Sequence, residues 1–476
     1  MTQMKIQKKG FWNFISIIVF IACFIGIYMC LNAVFIRKDT YIKNGEFLNE
    51  ENNFDVLFFG NSHAFDAIYP MELWNQYGIF SYNLAGASNE IAVSYWEIVN
   101  ALDYSEPELV VFDCTALSSN VKVPQKNMNN IHKSLDFFPL TLNKIKAVND
   151  LIEPDERIAF LWMFSLYHSR WSELTEEDFK WDFASDKGAE LHVGVAVPNE
   201  KAVLDKSEKS PMDTVGVEYL RKIIESCQER DIEILLTYVP FPANEKKVRE
   251  ANLVYDIAEE YQVNYINFLD MDGIVDFDTD CYDNYSHLNP SGARKVTEYL
   301  GAYIQEKYKI KDRREDAAYA SWHEDYEEYT AHKISVINKQ ESLDRALALL
   351  YDKNLNTYIF IKQGSEILQD ERMVKLIKNV SPYAELEKIE TAIRQKSDYL
   401  FAVNNDLRDV EEYLADKAFE KLGAVLENSM HNVNEEMPDV QIITINRLTG
   451  EIVNQSAYVT DGYDEYGNIV AEKVKE

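Results

Sequence analysis

The chain has 476 residues, 46% of them hydrophobic and 13% aromatic, which is enough for an anchor and two soluble domains with sizeable cores. Its formal net charge is −32, and beyond residue 43 it holds 42 basic against 79 acidic residues. A field of that sign repels polyanions, so nucleic acids are excluded as expected partners. The five cysteines form no CxxC pair and no close group with histidines. The sequence therefore predicts neither a zinc site, nor a disulfide framework, nor any other cofactor.

The N-terminus predicts a membrane anchor. Residues 11–36 contain no charged side chain and follow a short segment, 1–10, with three lysines. Such a run crosses a hydrocarbon core of about 30 Å with some tilt, and it lacks the short core and the small-x-small site of a cleaved signal peptide. We expect an uncleaved, single-pass anchor in the cell membrane. Three basic residues flank each side, so charge alone leaves the orientation open. The short N-terminus favours an extracytoplasmic location for the rest.

After a polar linker, 37–53, strand-like and helix-like segments alternate. An aromatic-rich insertion with helical segments, 120–215, interrupts this alternation. Strands separated by helices predict an α/β fold with a mostly parallel sheet. Four short apolar runs suit buried strands of that sheet: 55–59, 80–84, 108–113 and 232–239.

A helix that closes this first domain is predicted from Asn289, a capping residue followed by proline at the first helical position. The charged run 309–316 marks a boundary, which gives a first domain at 54–312 and a smaller C-terminal α/β or α+β accessory domain at 317–476. In the second domain the patterns predict two helices and several strands: a helix at 342–351, a strand at 357–361, another helix before a strand at 398–403, and a hairpin of 440–445 with 452–458.

Ser62 follows the first predicted strand and a glycine turn, Gly60-Asn-Ser62-His63, where a helix is expected to begin. A serine hydroxyl needs a base to take its proton and donors for the developing oxyanion. Free N–H groups at a helix N-terminus favour negative charge, and α/β folds bind ligands at the carboxyl ends of their strands. Serine at such a position is often only a helix cap, so a catalytic reading requires a partner.

His287 is the candidate partner. It stands in a polar loop just ahead of the closing helix, in the run Cys281-Tyr-Asp-Asn-Tyr-Ser-His-Leu-Asn-Pro-Ser-Gly. A histidine there can project onto the same edge of the sheet as Ser62. A lone histidine is usually a satisfied structural residue, but this polar surrounding favours a base.

Together, a strand followed by Gly-x-Ser, the segment Asn83-Leu-Ala-Gly86 and the late His-Leu-Asn-Pro-x-Gly resemble the SGNH/GDSL hydrolase superfamily over about residues 54–308. The similarity is to its membrane-anchored branch, found beside cell-surface polysaccharide and teichoic-acid modification systems. It implies a three-layer sandwich, with Ser62 as nucleophile and backbone oxyanion donor, Gly86 as second donor and His287 as base. The chain from Asp439 onward is similar, over few residues, to interleukin-like (FAM3-type) domains.

The acid of the predicted triad departs from the family pattern. The family places it three residues before the histidine, where this chain has Asn284. Asp283 or Asp280 would have to substitute for it. Alternatively, Asn284 would orient His287 by a hydrogen bond, with less stabilisation of an imidazolium than a carboxylate provides.

The oxyanion asparagine expected after the third strand also has no match, and Asn89 and Asn120 are the alternative candidates. His63, next to the nucleophile, is a candidate substrate contact. In the insertion, His168 and Arg170 either line the cleft and bind a polar or anionic group of the substrate, or are surface residues beside packed aromatic neighbours.

Two function classes follow. The first is an extracytoplasmic serine esterase or O-acyltransferase, with acetyl as the expected group, that acts on a cell-surface polysaccharide or teichoic-acid-like glycan through an acyl-Ser62 intermediate. Transfer would need a multi-span membrane protein as acyl donor, because a single-span tether cannot carry acyl groups across the bilayer. The alternative is a catalytically weak or inactive scaffold or glycan-binding subunit, suggested by Asn284 and the missing asparagine. A lipid esterase is disfavoured because no lipid-binding lid is recognised.

Overall fold

The computed structural model describes residues 2–36, 38–124, 128–162, 167–180, 186–198, 208–284, 287–362, 364–380, 399–403, 438–465 and 467–474. It begins with the long helix α1 (Thr2–Phe35). Within α1, Trp12–Phe35 has a mean hydropathy of 2.8 and is long and apolar enough to cross a membrane, a property that a signal sequence shares. Its apolar side chains are largely exposed.

The segment read as a polar linker contains a second helix, α2 (Lys38–Asn49). Phe47 on this helix is 2% exposed and stacks on Phe54 with ring centroids 5.5 Å apart. Burial of this aromatic ring stabilises the packing of α2 against the soluble domain. The end of α2 that carries Phe47 therefore belongs to the core of that domain rather than to a linker.

The first sheet has five parallel strands in the order β2-β1-β3-β4-β5. The predicted α/β fold is confirmed. The fifth strand was not predicted, because Asn264-Tyr-Ile-Asn267 is short and has polar residues at both ends. The strands are β1 (Val56–Phe59), β2 (Ser81–Asn83), β3 (Leu109–Asp113), β4 (Glu233–Tyr238) and β5 (Asn264–Asn267).

Helices cover both faces of this sheet, because successive side chains of each strand point to opposite sides. Leu57 and Phe59 belong to one buried cluster, and Val56 and Phe58 belong to another. The first cluster packs against α5, α9 and α10, and the second against α4 and α11. The helices of this layer arrangement are α3 (Ser62–Ala67), α4 (Pro70–Tyr77), α5 (Ile91–Ala101), α9 (Val215–Gln228), α10 (Glu245–Tyr261) and α11 (Pro290–Tyr308).

The insertion between β3 and α9 contains helical segments, as predicted. Its helices are α6 (Met128–Leu135), α7 (Leu142–Leu151) and α8 (Arg157–Leu161), followed by 3-10 helices at His168–Ser172 and Glu176–Phe179. Residues 186–198 then run without regular structure and return to the carboxyl edge of the first sheet, where the Ala196 amide bonds the Cys281 carbonyl.

A second, antiparallel sheet occupies the C-terminal part in the order β10-β9-β8-β6-β7. The four predicted strand segments are present, and the predicted hairpin turns at residues 447–451. Neither the helix α12 (Ser321–Asn338) nor the last strand was anticipated. The remaining elements are α13 (Leu343–Leu349), α14 (Glu371–Val380), β6 (Leu355–Lys362), β7 (Tyr399–Val403), β8 (Val440–Asn446), β9 (Ile452–Tyr463) and β10 (Ile469–Lys473).

Four buried charges join the two sheet systems. Lys333 Nζ, on α12, lies 2.8 Å from Glu72 Oε1 and 2.7 Å from Asp352 Oδ2. Arg294, on α11, completes the group and donates to the Leu349 carbonyl at 2.9 Å. Although burial opposes it, the charges of Lys333 and Arg294 lower the pKa of Asp352 to about 2. Each charge in the network has an opposite charge within 4 Å, as buried charges require, although Arg294 Nε and Nη2 lie 3.4 and 3.6 Å from the carboxylates and make no hydrogen bond.

Candidate active site

Ser62 is the first residue of α3 and stands directly beyond the carboxyl end of β1. The turn between them requires Gly60, whose φ is +150°. A Cβ at that position would lie 2.8 Å from Asp113 Cβ and 3.0 Å from Ala64 Cβ. Asn61 caps the helix by accepting the His63 amide at 3.0 Å. Strand, glycine turn and cap together hold the serine at the edge of the sheet.

Ser62, His287 and Asp283 form a continuous chain of hydrogen bonds. Ser62 Oγ lies 2.8 Å from His287 Nε2, and His287 Nδ1 lies 2.9 Å from Asp283 Oδ2. The other carboxylate oxygen of Asp283 accepts the His287 backbone amide at 3.1 Å. A neutral imidazole with its proton on Nδ1 donates to Asp283 and accepts from the serine, which is the arrangement a nucleophilic serine needs.

The acid in contact with the imidazole is thus the one four residues before His287. Asn284, at the family position, has an exposed side chain. Asp280 is buried and engaged with the start of α11, where it accepts Ser291 Oγ at 2.9 Å and Lys295 Nζ at 2.7 Å.

Aromatic rings stack on the imidazole of His287. The rings of His63 and His287 lie 4.6 Å apart, and Tyr282 stacks on His287 at 5.7 Å. His63 itself stacks on Phe241 at 4.6 Å. Burial, together with the neighbouring His287 and Lys247, lowers the pKa of His63 to about 3. His63, a candidate substrate contact by sequence, is therefore neutral at physiological pH and packs against the base.

The two residues predicted to complete an oxyanion hole make internal hydrogen bonds. The Gly86 amide donates to the Gly60 carbonyl at 3.1 Å. Asn89 is buried, with its Nδ2 donating to Glu97 at 3.1 Å and its Oδ1 accepting from Ser134 at 2.8 Å. The alternative Asn120 is exposed. These bonds hold the loop after β2 next to the turn that carries Ser62.

A second acid–histidine pair lies beside the first. Asp66, one helical turn after Ser62, is fully buried and accepts His192 Nδ1 at 2.7 Å and the Tyr282 hydroxyl at 3.4 Å. Burial raises the pKa of Asp66, and the hydrogen bond that Asp66 accepts from His192 raises the pKa of His192. Both residues of this pair were missed from the sequence, although the spacing of four between Ser62 and Asp66 on a helix could have indicated Asp66. His192 carried no such signal, because it is 126 residues away.

A cavity of about 480 Å³ lies along the loop of Gly86, with His192 in its wall. Lys43 from α2 reaches it, donates to the Ala85 carbonyl at 2.9 Å and pairs with Glu190 at 3.0 Å. Burial lowers the pKa of Lys43. Asn44 Oδ1, also in the wall, is buried without a hydrogen-bond partner. The cavity is thus lined by hydrogen-bond donors and acceptors and by the small side chains of three alanines.

The structure does not bring Arg170 to this site. Its guanidinium donates to the carbonyls of Phe35 and Ile36 at 2.6 and 3.0 Å and pairs with Asp178 at 2.7 Å. A cation at the carboxyl end of a helix is stabilised by the helix dipole, so Arg170 caps α1 instead of binding substrate. His168 is exposed in the same 3-10 helix.

No family model and no curated protein matches the sequence. Eight chains of solved structures match. One is a Bacteroides fragilis protein to which acylhydrolase activity is attributed, with 12% identity and a TM-score of 0.28 over 57% of this chain and 96% of that one. Another is an acetyl xylan esterase from the rumen bacterium Butyrivibrio proteoclasticus, with 8% identity and a TM-score of 0.25 over 55% of this chain and 66% of that one. Similarity at this level carries no argument about function.

Proposed function

We propose that this protein is a membrane-anchored, extracytoplasmic serine esterase or O-acyltransferase of the SGNH type, acting on a cell-surface glycan through an acyl-Ser62 intermediate. The observation that carries the proposal is the hydrogen-bonded chain from Ser62 through His287 to Asp283 at the carboxyl edge of a parallel sheet. The apolar helix α1 supports the anchor.

In the proposed reaction, Ser62 Oγ attacks the ester carbonyl carbon while its proton passes to His287 Nε2. Asp283 stabilises the resulting imidazolium through Nδ1. The bond between the carbonyl carbon and the ester oxygen of the leaving alcohol then breaks. His287 returns the proton to that oxygen. Water or a glycan hydroxyl then attacks the carbonyl carbon of the acyl-serine and gives its proton to His287. The bond between that carbon and Ser62 Oγ breaks, and His287 returns the proton to Ser62. Hydrolysis and transfer differ only in this second acceptor.

The Ser62 amide, in the first turn of α3, is the proposed oxyanion donor, because first-turn amides have no acceptor within their own helix. A second donor requires that the Gly86 amide shift from the Gly60 carbonyl to the substrate when the ester binds. Catalytic hydrogen bonds often take their final geometry only in the complex.

A glycan is the proposed substrate class because the cavity beside Gly86 is lined by polar groups that suit hydroxyls. These are the unpartnered Asn44 Oδ1, the Lys43–Glu190 pair and His192. An acetyl group is the proposed acyl unit. For transfer, a multi-span membrane protein would deliver the acyl group from the cytoplasmic side.

The test compares the full-length protein in detergent with two variants, Ser62→Ala and Ser321→Ala. Ser321 is an exposed serine that also opens a helix, so it is a matched control. Labelling by a serine-reactive fluorophosphonate and hydrolysis of an aryl acetate should be lost in Ser62→Ala and retained in Ser321→Ala. Equal labelling and turnover in the wild type and Ser62→Ala would refute the catalytic proposal.

The second candidate is a scaffold or glycan-binding subunit that keeps the fold without turnover. It is favoured by one observation: the Gly86 amide and the Asn89 side-chain amide are both engaged inside the protein. This candidate predicts glycan binding that Ser62→Ala leaves unchanged, together with no fluorophosphonate labelling.

A further inference from the structure

Among the exposed large apolar side chains of the insertion, four belong to α8, the residue after it and the two 3-10 helices, which are the segments that reach α1. Ile158 is 81% exposed, Trp162 44%, Trp171 73% and Phe179 62%. We call them the aromatic collar. Clustered exposed aromatic residues on a soluble surface mark a contact with another apolar phase or partner.

The collar is fixed to α1 at two heights. Near the end of α1, Arg170 binds the carbonyls of Phe35 and Ile36 and is held in turn by Asp178, next to Phe179. Further along α1, the rings of Tyr28 and Trp162 pack with centroids 4.8 Å apart. Ile158 precedes Trp162 by four residues across α8, so the two side chains share one face.

The second contact sets the depth of the collar. Tyr28 precedes Phe35 by seven residues, which is about 10 Å along a helix that rises 1.5 Å per residue. The apolar stretch Trp12–Phe35 has 24 residues, only slightly more than a hydrocarbon core of about 30 Å requires. When α1 spans a bilayer, Tyr28 is therefore below the membrane surface, and Trp162 lies at its level.

We propose that the aromatic collar is a second membrane contact, seated in the outer interfacial layer of the bilayer around α1. The inference rests on the anchoring proposed above. Its occupant is the lipid itself, at the level of headgroups and upper acyl chains, where tryptophan rings are favoured. The attraction is apolar rather than electrostatic, because the soluble part carries a strong negative charge that anionic headgroups would repel.

The test uses the full-length chain in phosphatidylcholine vesicles whose acyl chains are brominated near the glycerol end, which quenches tryptophans at that depth. The wild type is compared with Trp171→Phe and with Trp12→Phe, which removes a tryptophan of α1. In a Trp171→Phe background, Leu448→Trp adds a tryptophan at a position 78% exposed on the C-terminal hairpin as a control. Each substitution is at an exposed site, so folding should be retained.

The proposal expects Trp171→Phe to remove a quenchable component, as Trp12→Phe does, and Leu448→Trp to add only unquenched emission. High salt and anionic lipid should leave the quenching unchanged. If Trp12→Phe removes a quenchable component and Trp171→Phe does not, the proposed membrane contact of the aromatic collar is wrong, whereas the anchoring by α1 is supported. If neither removes quenching, the anchoring fails and the collar with it. Quenching that disappears in high salt would overturn the apolar contact.

Discussion

The roles of Asp283 and Asn284, the two neighbouring candidates for the acid of the triad, can be distinguished by mutation. Asp283 bonds the His287 ring, whereas Asn284 has an exposed side chain. We expect Asp283→Asn to lower kcat by on the order of 10²–10⁴, because an amide cannot stabilise the imidazolium and favours the wrong tautomer. Asn284→Ala should stay within about twofold of the wild type, since it touches neither ring nitrogen. The measurement is aryl acetate turnover.

The comparison of these two variants also shows which of the two residues acts as the acid of the triad in solution. If Asn284→Ala loses as much activity as Asp283→Asn, the loop 280–287 is acting as a unit and the individual contact is not decisive.

The site was predictable from sequence only where its residues sit in local motifs. Ser62 and His287 each occupy a short run whose turn and cap chemistry fixes their place. Asp283 differs from the family position by one residue, and only the backbone of the loop decides which of two neighbours faces the ring. The Asp66–His192 contact joins residues 126 apart, and His192 lies in the segment 186–198, which has no regular structure, so no local pattern indicates the contact.

Asp113, at the end of β3, gives the turn next to Ser62 a pH dependence. Burial raises the pKa of Asp113 to about 6, although it accepts the amides of Thr115 and Val239. The folded chain thus keeps this proton to higher pH than the unfolded chain, whose aspartates titrate near 3.9. The stabilisation is present below about pH 4 and is lost as pH rises through 6.

We therefore expect the unfolding free energy of the wild type to fall over this window by up to about 1.4 kcal/mol per pH unit from this group. Asp113→Asn should lack that component, so the difference between the two proteins should change with pH between about 4 and 6. The measurement is denaturant unfolding in detergent at several pH values. A constant difference would show that Asp113 titrates normally.

At the scale of elements, the turn between β1 and α3 tolerates no side chain at Gly60. Gly60→Ala would place a Cβ against Asp113 and Ala64 in addition to imposing a strained φ. We expect it to cost about 2–4 kcal/mol and to abolish turnover, because α3 must shift away from the strand. Gly450→Ala is the matched control, with φ +71° and open space around it. Gly450→Ala should lower the free energy of unfolding, measured by thermal unfolding, by about 1 kcal/mol.

Elements with strong periodicity were predictable, and those whose burial depends on partners were not. The runs at β1, β3 and β4 are short, mostly apolar and flanked by turn residues, so the pattern alone indicates buried strands. α2 was taken for a linker because polar and charged residues outnumber its four large apolar ones. Phe47 joins the core through rings of other elements. β5 and β10 are short edge strands defined by pairing rather than by their own composition.

At the scale of the molecule, the buried charges between the two sheet systems stabilise the contact between those systems. Lys333→Ala would leave Glu72 and Asp352 less compensated, and removal of one partner of a buried pair costs about 3–5 kcal/mol. Lys222→Ala, which removes an exposed pair with Glu218, should cost under about 0.5 kcal/mol. Denaturant unfolding of both variants tests this. Equal effects would contradict the role of the network.

The same network has an acid limit. Because the folded pKa of Asp352 is about 2, below the ordinary value near 3.9, its contribution to stability is full above about pH 4. The contribution is lost as pH falls through 2. Lys333→Ala should therefore be less destabilising, relative to the wild type, in strong acid than at neutral pH.

The stacking of His63 and Tyr282 on His287, with Asp283 bound to Nδ1, leaves the imidazole little freedom to swing. A base that stays in one place must serve both halves of the cycle from the same nitrogen. The alcohol that departs and the alcohol or water that enters then need the same spot beside Nε2, and they cannot occupy it together. For the proposed acyl-Ser62 reaction we therefore expect ping-pong kinetics, with parallel lines in double-reciprocal plots and mutual competition between departing and entering alcohols.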